Sequence, residues 1–173
     1  MFLESLSTIF LSSLLVGAPA QAGAPRAPAE NSKLSQMHRS IDAWIECDDC
    51  NESQQNAVFK AGQAAVPVLV QYLREGPSPE KRELVRRQLV SAYHDLKEYE
   101  KRHPQATVPL SEEEYVRTYL DNYSARYQIR AAAALAAIGG TEARSAVEAV
   151  LRNPLRDDVK AALASALQRM RSR

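Results

Sequence analysis

Arg130-Ala131-Ala132-Ala133-Ala134-Leu135-Ala136-Ala137-Ile138-Gly139-Gly140-Thr141-Glu142-Ala143 is the stretch that decides the fold. Apolar residues recur here at helical spacing, and two glycines stop the pattern. The same punctuation occurs 77 residues earlier, where Gly62 matches Gly139 and Pro77 matches Pro154. Between those marks Leu69, Val70 and Leu73 match Ala146, Val147 and Val150. Each unit reads as a helix, a glycine, a short helix, a turn with proline and another helix, which is an internal repeat.

Outward from that stretch, no segment alternates with period two for long, and apolar residues keep recurring at three and four. A first helix is predicted over 34–46, with Leu34, Met37, Ile41, Trp44 and Ile45 inward. Asn51 is placed to cap a second, with Ala57, Val58 and Ala61 on its face and Gly62 ending it. A third runs from Ala64 to Glu75, with Pro67 in its first turn and Gly76 as its stop. Ser78-Pro79 opens a fourth, whose face is marked by Val85, Leu89, Ala92, Leu96 and Tyr99 as far as Arg102, and His103-Pro104 closes it. Ser111-Glu112-Glu113-Glu114 is a capping box for a helix that persists to Ile138. Unbroken, it is about 40 Å long; the alternative is a bend near 121–124. Thr141 is expected to cap a short helix to Arg152, Asn153-Pro154 turns the chain, and a last helix uses Val159, Leu163, Ala166, Leu167 and Met170.

Ala61-Gly62-Gln63-Ala64-Ala65-Val66-Pro67-Val68-Leu69 resembles the inter-helix turn of HEAT repeats. Ile138-Gly139-Gly140-Thr141-Glu142-Ala143 resembles the same turn, and Arg130 to Gly139 resembles the repeat helix before it. The likeness spans roughly 52–170. It implies an all-α domain over 34–173 made of stacked helix pairs, as a short HEAT-like α-solenoid or a compact helical bundle, whose surface binds another macromolecule. The long central pair, 79–138, departs from the regular family pattern.

The N-terminus reads as an export signal. Phe2 to Val16 is apolar but too short to span a bilayer comfortably, and Ala20-Gln21-Ala22 sets small residues where signal peptidase cuts. Residues 1–22 are therefore assigned to a signal peptide, although Glu4 stands where a basic residue is usual. Residues 23–33 read as a flexible linker because they hold no apolar periodicity. The expected location is periplasmic or secreted, with no membrane attachment after cleavage.

Lys plus Arg is 22 and Asp plus Glu is 21, so the balance gives no reason to expect a nucleic-acid partner. The distribution is uneven: residues 30–52 carry six acids and two bases, whereas 117–173 carry ten bases and five acids. Arg82, Arg86 and Arg87 add a small basic patch. Such patterns are usually solvated faces, and the alternative is steering toward an acidic partner.

Cys47-Asp48-Asp49-Cys50 is the sharpest local signal. In an exported chain the two cysteines are expected to oxidise to each other and clasp the corner between the first two helices. So short a loop yields about 2 kcal/mol by chain entropy. The other reading is a redox pair, since Cys50 lies just before a helix N-terminus. Glu46, Asp48, Asp49 and Glu52 argue against it, because negative charge opposes a thiolate. A metal site is not expected: structural zinc needs four nitrogen or sulfur ligands, and His38 is the only histidine near in sequence.

Tyr115, Tyr119, Tyr123 and Tyr127 follow at intervals of four, four of the chain's seven tyrosines. On a helix each step advances about 40°, so the rings form a winding stripe. One reading is a packed seam with hydroxyls at its rim. The other is a binding surface, bordered by Arg117, Arg126 and Arg130, for a protein, peptide or glycan. Catalytic motifs are missing: there is no Gly-x-Ser-x-Gly, no His-Glu-x-x-His and no phosphate loop. The expectation is a non-catalytic, cofactor-free binding or scaffold protein in the cell envelope, with a Cys47–Cys50 thiol–disulfide role or a purely structural envelope accessory as the alternatives.

Overall fold

Residues 28–172 other than 51 are described by the computed structural model, with side chains for 32–50 and 56–172. The predicted signal peptide, the first part of the linker and the Asn51 cap lie outside the described residues. Within them the chain is all-α: α1 (Pro28–Glu46), α2 (Glu52–Ala61), α3 (Val66–Glu75), α4 (Pro79–Arg102), α5 (Glu112–Ile138), α6 (Thr141–Leu151) and α7 (Asp157–Arg171), with a 3-10 turn over Gly62–Ala65.

The glycines act where the backbone needs them. Gly62 and Gly139, the pair related by the 77-residue offset, both take positive φ, 52° and 74°. The two turns also lie side by side, because the Gln63 amide donates to the Gly139 carbonyl at 3.2 Å. The repeat in the sequence is thus a contact in space. Gly140, with φ 96°, occupies the N-cap of α6, so Thr141 is its first helical residue and not the expected cap. Ser78 and Ser111 do cap α4 and α5, each accepting a bond from the backbone three residues on, and the Ser111–Glu114 box is complete. The first helix starts at Pro28, so residues 28–33 are helix and not linker.

The core lies between α1, α3, α6, α7 and the second half of α5. Ile41 and Ile45, Leu69 and Leu73, Leu135, Val147, and Val159 and Leu163 are all buried there. Ala131, Ala132, Ala134 and Ala136 are buried as well, and their small side chains let α3 and α7 approach α5 closely. The α7 stripe matches its expected face, with Met170 only partly covered. Leu34, expected inward, is exposed.

Between Pro77 and Ala125 no buried residue belongs to the core of the bundle, although Tyr123 packs against its edge. This part of the chain is an antiparallel helical arm, α4 packed along the first half of α5 and closed by the loop 103–111. Helix α4 is about 36 Å long, yet none of its 24 residues is buried. The face expected from Val85 to Tyr99 is therefore not a core face: it meets one helix only, and its flanks stay in water. The arm has a narrow seam of its own, in which Tyr115 and Val116 are buried and the Tyr93 and Tyr115 rings lie 5.5 Å apart.

Candidate functional site

The arm is fastened to the bundle by a polar cluster. Asp42 and Glu46 stand one helical turn apart on α1 and so share a face. Lys81, in the first turn of α4, pairs with both, at 2.9 Å and 2.8 Å. Tyr72 of α3 donates to Asp42 at 2.5 Å. Tyr123 and Tyr127 of α5 donate to the Glu46 Oε1 that Lys81 also reaches, at 2.7 and 2.5 Å. Four helices thus meet at two carboxylates, with three donors on one oxygen. Burial by itself would raise the Glu46 carboxyl, but the bonds from Lys81, Tyr127 and Tyr123 outweigh it and hold the group below the usual carboxylate range. Burial pulls Lys81 down, and the two carboxylates more than restore it. Burial, with the carboxylate bonds added, pushes the Tyr72 and Tyr127 phenols far up, so both remain protonated donors.

Beside this cluster the α1–α2 corner is pinned to α5. Arg126 pairs with Asp48 at 2.5 Å and donates to the Glu46 carbonyl at 3.3 Å. Arg130 donates to the Trp44 carbonyl at 2.5 Å and places Nη1 at 3.4 Å from Cys50 Sγ and 3.7 Å from Cys47 Sγ. Cys47 and Cys50 are joined in a disulfide, with Cα atoms 5.4 Å apart.

The tyrosine and arginine residues read as one stripe are therefore not one surface. Tyr127 is fully buried, against Tyr72 and Tyr123 edge-on. Tyr123, Arg126 and Arg130 are spent on Glu46, Asp48 and Trp44. Tyr115 is buried in the arm. Only Tyr119, 48% exposed, and Arg117 face water. The winding of the stripe explains the division: from Tyr115 to Tyr127 it turns through about 120° and meets α4, solvent and α1 in succession. Asp42, Glu46, Tyr72 and Lys81 were not anticipated as partners. The available signal was the i, i+4 pair of acids on α1, which matches the i, i+4 spacing of Tyr123 and Tyr127.

A groove of about 580 Å³ runs between the end of α3 and the arm, lined by His38, Tyr72, Pro77, Arg82, Arg86 and Leu120 among others. A second of about 500 Å³ continues past Arg86 to Val90, Val116 and Arg117. Neither Arg82 nor Arg86 has an ion-pair partner among the described residues. Among those residues no three His, Cys, Asp or Glu side chains gather as a metal site, and no helix is long and apolar enough to cross a membrane. Comparison of the chain with known protein families, curated proteins and solved structures finds no match.

Proposed function

We propose that this chain is an exported, HEAT-repeat-like binding or scaffold protein of the cell envelope, non-catalytic, which holds a protein partner against its α4–α5 arm. One observation carries the reading. Of the large apolar side chains that are exposed among the described residues, Leu84, Leu96, Tyr99, Leu110 and Tyr119 belong to the arm, and Leu34 is the other. A long helix that buries nothing gains little from its own fold, so its apolar face is available to something else. The paired turns at Gly62 and Gly139 support the repeat likeness, because equivalent turns pack side by side in stacked repeats. The apolar segment ending at Ala20-Gln21-Ala22 supports export to the periplasm or beyond.

The test is affinity capture with tagged protein from its own envelope extract, comparing the natural sequence with Leu96→Glu, Tyr99→Glu, Tyr119→Glu. The arm variant should keep its far-UV helical signal and bind the captured partner about tenfold more weakly or worse. Equal capture by both proteins would remove the arm from the reading. Tyr123→Ala is a poor probe, because it breaks the Glu46 cluster as well as any surface contact.

A further inference from the structure

We infer that Cys47 and Cys50 form a thiol–disulfide exchange site in which Arg130 stabilises Cys50 as a thiolate, and that its substrate is a protein dithiol. This site is separate from the arm. Arg130 Nη1 lies 3.4 Å from Cys50 Sγ and 3.7 Å from Cys47 Sγ. Its bond to the Trp44 carbonyl fixes the guanidinium there. Arg130 is only partly exposed and makes no carboxylate ion pair among the described residues. Burial and the neighbouring Arg126 both lower its affinity for its proton, while Asp48 offsets part of this. A half-covered cation with no carboxylate in ion-pair contact, close to two sulfurs, is a setting that favours a thiolate.

Two of the four acids that crowd the motif in sequence are paired away from the sulfurs, and the side chain of Glu52 lies outside the described residues. Glu46 turns its carboxylate to Lys81, Tyr123 and Tyr127, and Asp48 is paired to Arg126. Asp49 remains exposed on the corner itself, and Arg130 is the guanidinium of α5 not already paired to a carboxylate there. Cys50 also lies close before the first turn of α2, whose amide dipoles favour negative charge.

The exchange runs as follows. A substrate thiolate attacks Cys47 Sγ, and a mixed disulfide forms as the Cys47–Cys50 bond breaks. The electron pair of that bond stays on Cys50 Sγ beside Arg130, so Cys50 is the better leaving group. The substrate's second thiol, after losing its proton, attacks its own sulfur in the mixed disulfide and releases Cys47. The substrate is oxidised by two electrons and Cys47–Cys50 reduced by two. One of the two substrate protons ends on Cys47 and the other in solvent.

Two measurements on the purified protein decide it. In Cys47→Ser, alkylation of Cys50 by iodoacetamide is followed against pH. The midpoint should lie at least about one unit below the ordinary 8.5 and rise back toward it when Arg130→Met is added. In the natural disulfide form, the rate of reduction by dithiothreitol should fall about threefold or more with Arg130→Met and stay near the original with Arg130→Lys. A Cys50 midpoint at or above 8.5, or a reduction rate unchanged by Arg130→Met, overturns the assignment and leaves the bridge as a clasp. If Arg130→Met loses its helical signal, the Cys47→Ser midpoint decides alone.

Discussion

From Ala125 to Ile138, helix α5 is enclosed by the bundle, and Ala125, Tyr127, Ala131, Ala132, Ala134, Leu135 and Ala136 are buried. From Glu112 to Ser124 the same helix has α4 along one side, and only Tyr115 and Val116 are buried. The first stretch is small and apolar, so neighbouring helices come close on several sides. The second is acidic, aromatic and basic in turn, and α4 alone lies along it until Tyr123 reaches α1. One unbroken element therefore belongs to two regions with different sources of stability. The bundle rests on burial of apolar area, which scales with the number of helices that meet. The arm rests on helix capping, a thin aromatic seam and the anchorage of Lys81. A load on the arm reaches the bundle through α5, through the short 76–78 connection from α3 and through the Asp42–Glu46–Lys81 cluster.

The largest effect should come from emptying the enclosed half. Leu135 is fully buried at the centre of the bundle, and Leu135→Ala removes most of its side chain where the surrounding helices cannot collapse freely. Urea unfolding should show a loss of about 2–5 kcal/mol. A loss under 1 kcal/mol would mean that the bundle repacks easily and that the contrast with the arm is overstated.

Periodicity makes the helices legible, and the same reasoning explains its failures. Val159, Leu163, Ala166 and Leu167 on α7 and Val85, Leu89, Ala92 and Leu96 on α4 follow similar spacings, yet the first set is buried and the second is not. A repeat of three and four says that a helix has an apolar face. It does not say how many neighbours will cover it, because that depends on contacts between distant parts of the chain. Glycine and proline were more informative, since they act on the local backbone: Gly76 and Gly139 end helices where expected, and Ser78 with Pro79 and the Ser111 box begin them. The charge asymmetry was legible but not its meaning. The acidic segment 30–52 and the basic segment 117–173 meet each other, at Asp48 and Arg126. The site was the least legible part. Each tyrosine–carboxylate bond joins residues far apart in sequence, and the proximity of Arg130 to the sulfurs depends on how α5 lies against the α1–α2 corner.

A smaller effect, and one that depends on pH, should follow from the junction of the two regions. Glu46 has a folded pKa below its ordinary 4.5, so the unfolded chain binds its proton more readily. Its contribution is complete above the unfolded value and is lost as pH falls through the folded one. Glu46→Gln should cost about 1 kcal/mol near pH 7, a modest figure because the side chain is 38% exposed and water screens it. The variant and the natural protein should converge in stability as pH is lowered from 5 toward 3. Urea midpoints at several pH values measure this. A difference that stays constant across that range would mean that the carboxylate's charge is not what holds the junction.

The smallest effect is expected at the arm, and it is the sharper test of the contrast. Leu84 is 49% exposed and Leu96 36% exposed, so truncation leaves no cavity and removes little burial. Leu84→Ala and Leu96→Ala should each lower the unfolding free energy measured in urea by about 0.5 kcal/mol or less. Hydrogen exchange should tell the regions apart in the unmutated protein as well: α4 amides should exchange through local opening, well before those of 131–136 and α7, which should wait for global unfolding. If α4 and α7 exchange together, the arm is part of the cooperative unit and its exposed leucines are incidental. If α4 exchanges early alone and slows when the captured partner is added, the free energy that protects it comes from binding, because a ligand that binds only the folded arm stabilises that state by mass action. A helix with no buried residue in the free protein would then acquire its core from the partner.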